Sequence, residues 1–329
     1  MRQNPRMRPV IACIVVHCVA LCAAAPAAAQ TFPVRAVRII VPYAPGGGSD
    51  NLSRLYAPRL SQALGQQVVV DNRPGGGARI GTELAARAAP DGHTLLKVDT
   101  AFLANPALYA KLPYDTVRDF APVTLVANGR AILVVHPSLP VKTLRDLIVL
   151  AKAHPGQINY SSPGHGTGGH LTSELFSLAA GIRLAHIPYK GAGPAVADVI
   201  GGQITITFAG VSTTKGFIDQ GRLRPLAVTG DRRAPSLPQV PTFTEAGLPA
   251  VNYNSHWGLV APAGTPGDVI SRLNAEVNVV MNLPEVKDRL KKQGIDPEPG
   301  TQAQLLAHVK SEITRFAALI KAIGLQKLD

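Results

Sequence analysis

Cysteine is confined to the start of this chain, where three residues fall within the first 29: Cys13, Cys18 and Cys22. The remaining sequence therefore has no side chain that could form a disulfide, act as a thiolate nucleophile or bind a metal through sulfur. Aromatic residues make up only 5% of the chain, which argues against a surface that stacks on nucleic-acid bases. Lysine and arginine outnumber the acids 33 to 21, but they form no basic run, so nucleic acid is not an expected partner.

Apolar residues are plentiful instead. They account for 46% of the 329 residues, and charged residues account for 16%, which excludes a disordered chain and supplies enough material for a sizeable core. The 31 glycines and 28 prolines lie between apolar segments rather than in a repeat, which excludes collagen-like and low-complexity classes. At about 150 residues per domain, the length predicts two domains.

Residues 1–29 are predicted to be a secretory signal peptide. Three arginines and no acid precede the 12-residue apolar stretch Val10–Leu21, and Ala27–Ala29 provides small residues for cleavage at its end. A membrane anchor is the alternative, but a spanning helix needs about 20 apolar residues. Lipid attachment at Cys22 would favour a small residue before it, where Leu21 stands. We therefore expect an exported, periplasmic protein.

Short β-branched runs alternate with helical patterns in the first part of the remaining chain. Val37–Val41, Gln67–Val70 and His93–Val98 are predicted strands, and the amphipathic stretch Asp50–Leu64 is a predicted helix. Another helix is predicted through Glu83–Arg87. This βαβαβ order is typical of a parallel sheet with helices on both faces.

The alternation restarts with a strand predicted over Ala131–Val135. Further strands are predicted at Ile158–Ser161, His186–Pro188, Ile204–Phe208, Leu223–Val228 and Trp257–Val260, and helices at Gly168–Ala180, Ala195–Ile200 and Thr214–Gln220. Another helix is predicted behind the Thr143…Asp146 cap pair, with Leu144, Leu147, Ile148 and Ala151 at helical spacing, and Thr265–Pro266 is predicted to open one more. A long amphipathic helix ends the chain and is expected to pack on the first domain through Leu306, Val309, Ile313, Phe316, Ile320 and Ile323.

These elements predict an α/β fold of two lobes. We expect residues 30–129 plus 253–329 to form lobe 1 and residues 130–252 to form lobe 2, with crossings near Ala127–Ala131 and Val251–Ser255. The cleft between the lobes is the expected ligand site.

The most informative motif is Tyr43–Asp50, where three consecutive glycines follow a strand and open a helix. Glycine lets the backbone turn tightly and present N–H groups without interference from a Cβ. The first turn of a helix adds unpaired N–H donors and about half a positive charge, so the motif predicts an anion site. A tight turn without a ligand is the alternative. Asp50, in that first turn, is predicted to cap the backbone rather than to act as a base.

Ser161–His170 repeats this arrangement in the second lobe. Gly164, Gly166 and Gly169 match the dinucleotide pattern G-x-G-x-x-G. The acid expected about 20 residues later is missing, because Tyr189–Lys190 occupies that region. An anion site built from backbone N–H groups and the hydroxyls of Ser162 and Thr167 is the simpler interpretation.

No set of residues matches a known catalytic pattern. The chain has no G-x-S-x-G elbow, no H-E-x-x-H pair and no Walker loop. His165 and His170 lie five residues apart without an evident carboxylate partner, and a metal pair is the alternative to loop or capping roles. The glycine-rich turns Asn72–Gly77 and Tyr189–Pro194 fit structural turns equally well. We therefore expect no catalytic residue, no metal and no cofactor.

Taken in order, the motifs of this chain resemble those of the substrate-binding receptors of tripartite tricarboxylate transporters, also called the Bug receptor family. The resemblance covers all of the sequence after the predicted signal peptide, and the ordered set is specific although each motif alone is weak. Its markers are Val41–Tyr43 with Gly46–Asp50, Asp71–Gly75, Pro90–Leu96, Leu112–Asp115, Ser161–Ser162 with Gly166–Thr167 and His170–Leu171, Pro188–Gly191 and Pro262–Pro266.

The resemblance implies a type II periplasmic binding protein, an α/β fold whose two lobes close on a small ligand, usually a carboxylate. In the family, two glycine loops hold the ligand carboxylate, largely through main-chain N–H groups and bridging water. Carried over to this chain, with the residue at a frequent acid position added, the implied ligand-binding residues are Tyr43, Ala44, Gly46, Gly47, Gly48, Ser49, Ser161, Ser162, Gly164, His165, Gly166, Thr167 and Ala209.

Two positions depart from the family pattern. Ala209 replaces the frequent acid, and Ala101–Phe102 stands where a small polar residue or a histidine is common. Both changes would make the outer pocket more apolar. They argue against an amino-acid ligand, whose ammonium group would favour that acid.

The implied function is that of a receptor rather than an enzyme. We expect a monomer that delivers a small organic carboxylate to membrane transporter subunits. An exported hydrolase-like enzyme acting on an anionic substrate, and a ligand sensor that transports nothing, are the alternatives.

Overall fold

A computed structural model of the protein describes residues 32–329. The signal peptide predicted for residues 1–29 lies outside the described residues. The strands are β1 Val37–Val41, β2 Val68–Asn72, β3 Thr94–Val98, β4 Phe120–Val135, β5 Asn159–Ser162, β6 Ala185–Pro188, β7 Ile206–Gly210, β8 Arg224–Val228, β9 Asn254–Pro262 and β10 Ile295–Pro297. The helices are α1 Gly48–Leu64, α2 Arg79–Ala86, α3 Thr100–Leu108, α4 Leu144–Ala153, α5 Gly168–Ala180, α6 Ala192–Ile200, α7 Val211–Asp219, α8 Gly267–Asn282, α9 Pro284–Lys292 and α10 Gln302–Ala322.

The first group of strands is built around β1, which pairs in parallel with β2 on one side and β3 on the other. β9 joins β3 to β4 through antiparallel pairing, and the short β10 also pairs with β4. Val37, Ile39 and Val41 enter one core with α1 and α8, whereas Ile40 enters a second core with α3 and α10. Because both faces of β1 are buried, four of its five residues are apolar, with Arg38 the exception, and the strand does not alternate.

The second group uses the end of β4, Ala131–Val135, which pairs antiparallel with β7 and with β8. β5 pairs in parallel with both β6 and β7. Alternate residues again enter opposite cores, since Leu133 packs in the cluster that contains Phe176 and Ile132 packs in the cluster that contains Val199. The two-lobed α/β architecture predicted from the sequence is therefore confirmed.

β4 belongs to both groups of strands. Its first part, Phe120–Arg130, pairs with β9, and its last five residues pair with β7 and β8. The sequence predicted only Ala131–Val135 as a strand, because the preceding residues mix small, polar and apolar side chains. The terminal helix α10 packs on α3 and β4, and its buried face uses Leu305 rather than the predicted Leu306. Within residues 32–329, the helices are all too short or too polar to cross a membrane.

Candidate ligand-binding site

A cavity of about 80 Å³ lies where the two halves of the molecule face each other. Its lining comes from the carboxyl ends of strands and the first turns of helices on both sides, as expected for an α/β fold. The lining residues are Tyr43, Gly47, Gly48, Ser49, Asp50, Asp99, Thr100, Gly129, Arg130, Ala131, Pro163, Thr167, Gly168, Gly169, Ala192, Phe208, Ala209, Gly210, Thr213, Ser255 and Trp257.

The first turns of several helices meet at this cavity. α1, α5, α6 and α7 each contribute their N-cap residue or a residue of their first turn to the lining. None of these four helices has a hydrogen bond from an N-cap side chain. α3 also begins at the cavity, but it is capped by Asp99, whose side chain accepts from Ala101 N–H. Of the helices that begin elsewhere, α4 and α10 carry complete capping boxes at Thr143 and Thr301, and α2, α8 and α9 have no side-chain cap. Four N-termini without capping side chains direct their unpaired N–H groups and positive dipole ends at one small space, which is an environment for an anion.

Asp50 lines the cavity but is engaged by its own loop. Its carboxylate accepts hydrogen bonds from Gly46 N–H at 3.0 Å, from Arg54 Nε at 2.9 Å and from Asn72 Nδ2 at 3.0 Å. Burial opposes ionisation here, yet these donors hold the pKa of the Asp50 carboxyl below its usual value. The predicted role of Asp50 in organising the backbone is consistent with these bonds, although it binds the loop before the helix rather than the first turn.

A second carboxylate, Asp99, lies at the N-terminus of α3 and was not singled out from the sequence. Its Oδ1 accepts from the Tyr43 hydroxyl at 2.6 Å and from Ala101 N–H at 3.1 Å. Its Oδ2 accepts from the Ser49 hydroxyl at 3.1 Å. The same hydroxyl accepts from Trp257 Nε1 at 3.0 Å. Burial raises the pKa of the Asp99 carboxyl.

Two further cavity residues carry polar groups that the described chain leaves without a partner. Arg130 is 6% exposed, and its Nη1 donates to Asp296 Oδ2 at 2.9 Å, while its Nε has no acceptor among the described residues. Thr213 is 8% exposed, and its hydroxyl has no partner in the same part of the chain. Both atoms are buried and unpartnered among the described residues, and both belong to residues that line the cavity. No pattern in the sequence predicted a buried arginine at the site.

The residues implied by the family resemblance divide into two groups. Those that line the cavity are Tyr43, Gly47, Gly48, Ser49, Thr167 and Ala209. Those that lie outside its lining are Ala44, Gly46, Ser161, Ser162, Gly164, His165 and Gly166. Several of the second group shape the site from behind, because Ser161 Oγ donates to Ala195 O at 3.0 Å and Ala44 N–H donates to Lys190 O at 2.9 Å.

The apolar outer pocket expected from Phe102 and Ala209 is only half supported by the structure. Phe102 does not line the cavity; it is buried in the first half and packs edge-to-face on Phe120, with ring centroids 5.2 Å apart. Ala209 does line the cavity, so its contribution to an apolar wall stands. The carboxylate of Asp99, however, supplies an acid that the sequence pattern indicated to be missing.

Three histidines of the second half form a cluster behind the loop that starts α5. Ring nitrogens of His165, His170 and His186 lie within 4.8 Å of one another. His170 stacks on His186 with ring centroids 4.2 Å apart, and its Nδ1 accepts from Gly166 N–H at 3.2 Å. The neutral ring therefore carries its proton on Nε2 and presents no free lone pair there. This arrangement favours a role for His170 in holding the loop. It argues against the metal pair considered for His165 and His170.

Several known proteins are similar to this chain along nearly all of its described length. A family model described as tripartite tricarboxylate transporter family receptor matches residues 52–325. The UPF0065 protein in the tcbD-tcbE intergenic region of Pseudomonas sp. (strain P51) is 40% identical over 292 residues, covering 88% of this chain and 87% of that protein. Protein BugT of Bordetella pertussis is 36% identical over 303 residues, covering 92% and 93%.

Two solved structures with bound carboxylates are similar to this chain throughout. One is described as R. palustris Rpa4515 with adipate; it has a TM-score of 0.87 and 34% identity, and the match covers 90% of this chain and 100% of that one. The other is described as MatC (Rpa3494) from Rhodopseudomonas palustris with bound malate, with a TM-score of 0.84, 30% identity and coverage of 88% and 100%.

Proposed function

This chain belongs to the tripartite tricarboxylate transporter receptor family of periplasmic solute-binding proteins, and from that premise we propose that it captures a small organic carboxylate in the cavity and delivers it to membrane transporter subunits. The ligand carboxylate binds at the N-termini of α1, α5, α6 and α7. The adipate and malate carried by the two similar structures support this ligand class.

The observation that carries the proposal is the convergence of four helix N-termini without capping side chains. Each charge-assisted hydrogen bond contributes roughly 1.5–3 kcal/mol. A micromolar site needs about −8 kcal/mol overall, so a few such bonds and one buried apolar surface suffice after the cost of association. The guanidinium of Arg130, another lining residue, is paired with Asp296 and keeps one unpartnered nitrogen, Nε, among the described residues. We propose that Tyr43, Gly47, Gly48, Ser49, Thr167 and Ala209 contact the ligand.

We propose that the protein is a receptor and not an enzyme, because the described cavity lining holds no histidine, lysine or cysteine, and the Ser49 hydroxyl next to the Asp99 carboxylate is itself bonded to Trp257 Nε1. Asp99 is bonded to hydroxyls and an amide N–H, and the histidine cluster lies outside the lining. The exported enzyme and the non-transporting sensor are the remaining alternatives. A ligand recovered unchanged after long incubation contradicts the enzyme, and uptake that depends on this receptor contradicts the sensor.

The test is a melting-temperature screen followed by calorimetry of the refolded, ligand-free protein. Adipate, malate, succinate and benzoate are compared with their uncharged amides. We expect one or more carboxylates to raise the melting temperature in proportion to the logarithm of their excess over Kd, and the matching amides to have no effect. A panel in which no carboxylate binds, or in which amides bind equally well, contradicts the proposal.

We further propose that residues 30–129 plus 253–329 and residues 130–252 move as two lobes about β4 and the segment before β9. The halves meet through small residues: a Cβ built on Gly193 would lie 2.3 Å from Pro45 O, across the contact between them. The backbone bond from Ala44 N–H to Lys190 O joins the same two loops. This contact leaves no room for a methyl group when the lobes are closed.

Gly193→Ala is therefore expected to weaken ligand binding without touching the cavity. Overpacking at a tight contact costs roughly 1–3 kcal/mol, which corresponds to an affinity loss of about 5- to 150-fold. Alanine also favours the helix more than glycine does, so the ligand-free protein should melt no lower than wild type. Calorimetry measures the affinity, and small-angle scattering with and without ligand measures closure.

The matched control is Gly216→Ala, since Gly216 also lies in a helix and a Cβ there would meet no atom within 4 Å. It should bind ligand as wild type does. Wild-type affinity in Gly193→Ala would contradict the assignment of this contact to the closed state.

A further inference from the structure

Asp99 lines the cavity and has one acceptor position to spare. A carboxylate oxygen accepts about two hydrogen bonds. Oδ1 already accepts from Tyr43 and Ala101, but Oδ2 accepts only from Ser49. The Asp99 side chain keeps some solvent exposure although Val98 and Thr100 on either side are buried, and Asp99 is part of the cavity lining.

The charge of Asp99 is not neutralised by an ion pair in the described part of the chain. The cavity's other carboxylate, Asp50, pairs with Arg54, and Arg130 pairs with Asp296. Lys97 is buried nearby and its charge opposes the burial that raises the pKa of Asp99, but it makes neither an ion pair nor a hydrogen bond with this carboxylate. A half-buried carboxylate without a directly paired countercharge stabilises any proton donor that reaches it and opposes any second anion.

The cavity therefore presents two opposite environments to one small molecule. The N-termini of α1, α5, α6 and α7 favour negative charge, whereas Asp99 favours a hydrogen-bond donor. A ligand that satisfies both carries a carboxylate at one end and a hydroxyl or ammonium group at the other.

We propose that Asp99 makes this receptor selective for hydroxy- or amino-carboxylates and selective against a second ionised carboxylate on the same ligand. The inference rests on the proposed function and narrows its ligand class. It reverses the expectation, drawn from Ala209 and Phe102, that amino acids are disfavoured.

The test compares ligands of matched size on wild type and on Asp99→Asn. Two series are used: butanoate, 4-hydroxybutanoate, 4-aminobutanoate and succinate; and benzoate, 4-hydroxybenzoate, 4-(aminomethyl)benzoate and terephthalate. Wild type should bind the hydroxy or amino member of a series at least about 10-fold more tightly than the unsubstituted and dicarboxylate members. The hydroxy and amino members show which donor is preferred.

Asp99→Asn keeps an acceptor oxygen for Ala101 N–H but removes the charge. It should lose the preference for the donor and bind the dicarboxylate roughly 10-fold or more tightly than wild type does. The control Asp288→Asn removes an exposed acid outside the cavity and should keep the wild-type order. Its melting temperature, and that of Asp99→Asn, verify folding.

Equal affinities within each series on wild type, or an unchanged order in Asp99→Asn, overturn the inference and leave the carboxylate receptor intact. A wild-type protein that binds no member of either series overturns this inference, and the proposed function falls with it only if adipate and malate do not bind either.

Discussion

Gly48→Glu is expected to lower carboxylate affinity roughly 30- to 3000-fold, the loss of one or two charge-assisted hydrogen bonds. Gly48 is the first residue of α1 and lines the cavity. A glutamate there places a fixed negative charge where the helix N-terminus would hold the ligand. A Cβ at this position would lie 3.0 Å from Trp257 Cζ2 and 3.3 Å from Ser212 Oγ, so a side chain here also crowds the Trp257 ring that lines the cavity. Since Gly48 has no positive φ, the backbone itself accepts a side chain.

Two control variants separate charge, bulk and helix position. Gly48→Gln has the same bulk without the charge and should bind more tightly than Gly48→Glu. Gly267→Glu places the same residue at the first position of α8, which begins outside the cavity, and should bind as wild type does. Gly76 is a poorer control, because its φ of +58° strains any side chain. Calorimetry gives the affinities, and wild-type binding by folded Gly48→Glu would contradict the anion site at α1.

The strands were predictable because burial on both faces leaves a strong apolar signal. The predicted bounds of Val37–Val41 match β1, and those of β5, β6 and β8 are shifted by one residue at most. Two helices were missed for opposite reasons. Nearly all of α3 is buried, so its sequence has no amphipathic period, whereas α9 buries only Val286 and Leu290 and carries too few apolar residues to stand out.

The candidate site was predictable only where glycine runs mark it. Gly47 and Gly48 were found because a tight turn between a strand and a helix requires one glycine, and three in succession indicate that a ligand approaches the backbone. Asp99 and Arg130 carry no such local signal, since each is a single charged residue at the end or in the middle of a strand. The adjacency of β1 and β3 in one parallel sheet was a usable clue for Asp99, because the carboxyl ends of neighbouring strands place Tyr43 and Asp99 together. Arg130 depends on β4 running through both groups of strands, which the sequence does not reveal.

The histidine cluster should make the protein's stability depend on pH in a defined direction. His170 is 2% exposed, and burial, with the nearby His186 and His165, lowers the pKa of His170 from 6.5 to about 3. The unfolded chain therefore takes up this proton near pH 6.5, and the folded protein takes it up only near pH 3. The free energy of unfolding contributed by this difference is complete above pH 6.5 and is lost as the pH falls towards 3. For this one group the loss is roughly 2–3 kcal/mol between about pH 8 and pH 4.5.

His170→Asn and His170→Gln separate this titration from the loop contact. Both remove the ionisable ring. The free energy of unfolding of either variant, measured in urea, should therefore fall by roughly 2–3 kcal/mol less than that of wild type over the same pH range. Only asparagine places an amide oxygen near the position of Nδ1, where it can still accept from Gly166 N–H. His170→Asn should therefore keep most of the ligand affinity, whereas His170→Gln should lose affinity because the loop that leads into α5 is no longer held. Equal affinities in the two variants would show that the bond from Gly166 does not support the site. A pH dependence as steep as that of wild type would contradict a neutral, buried His170.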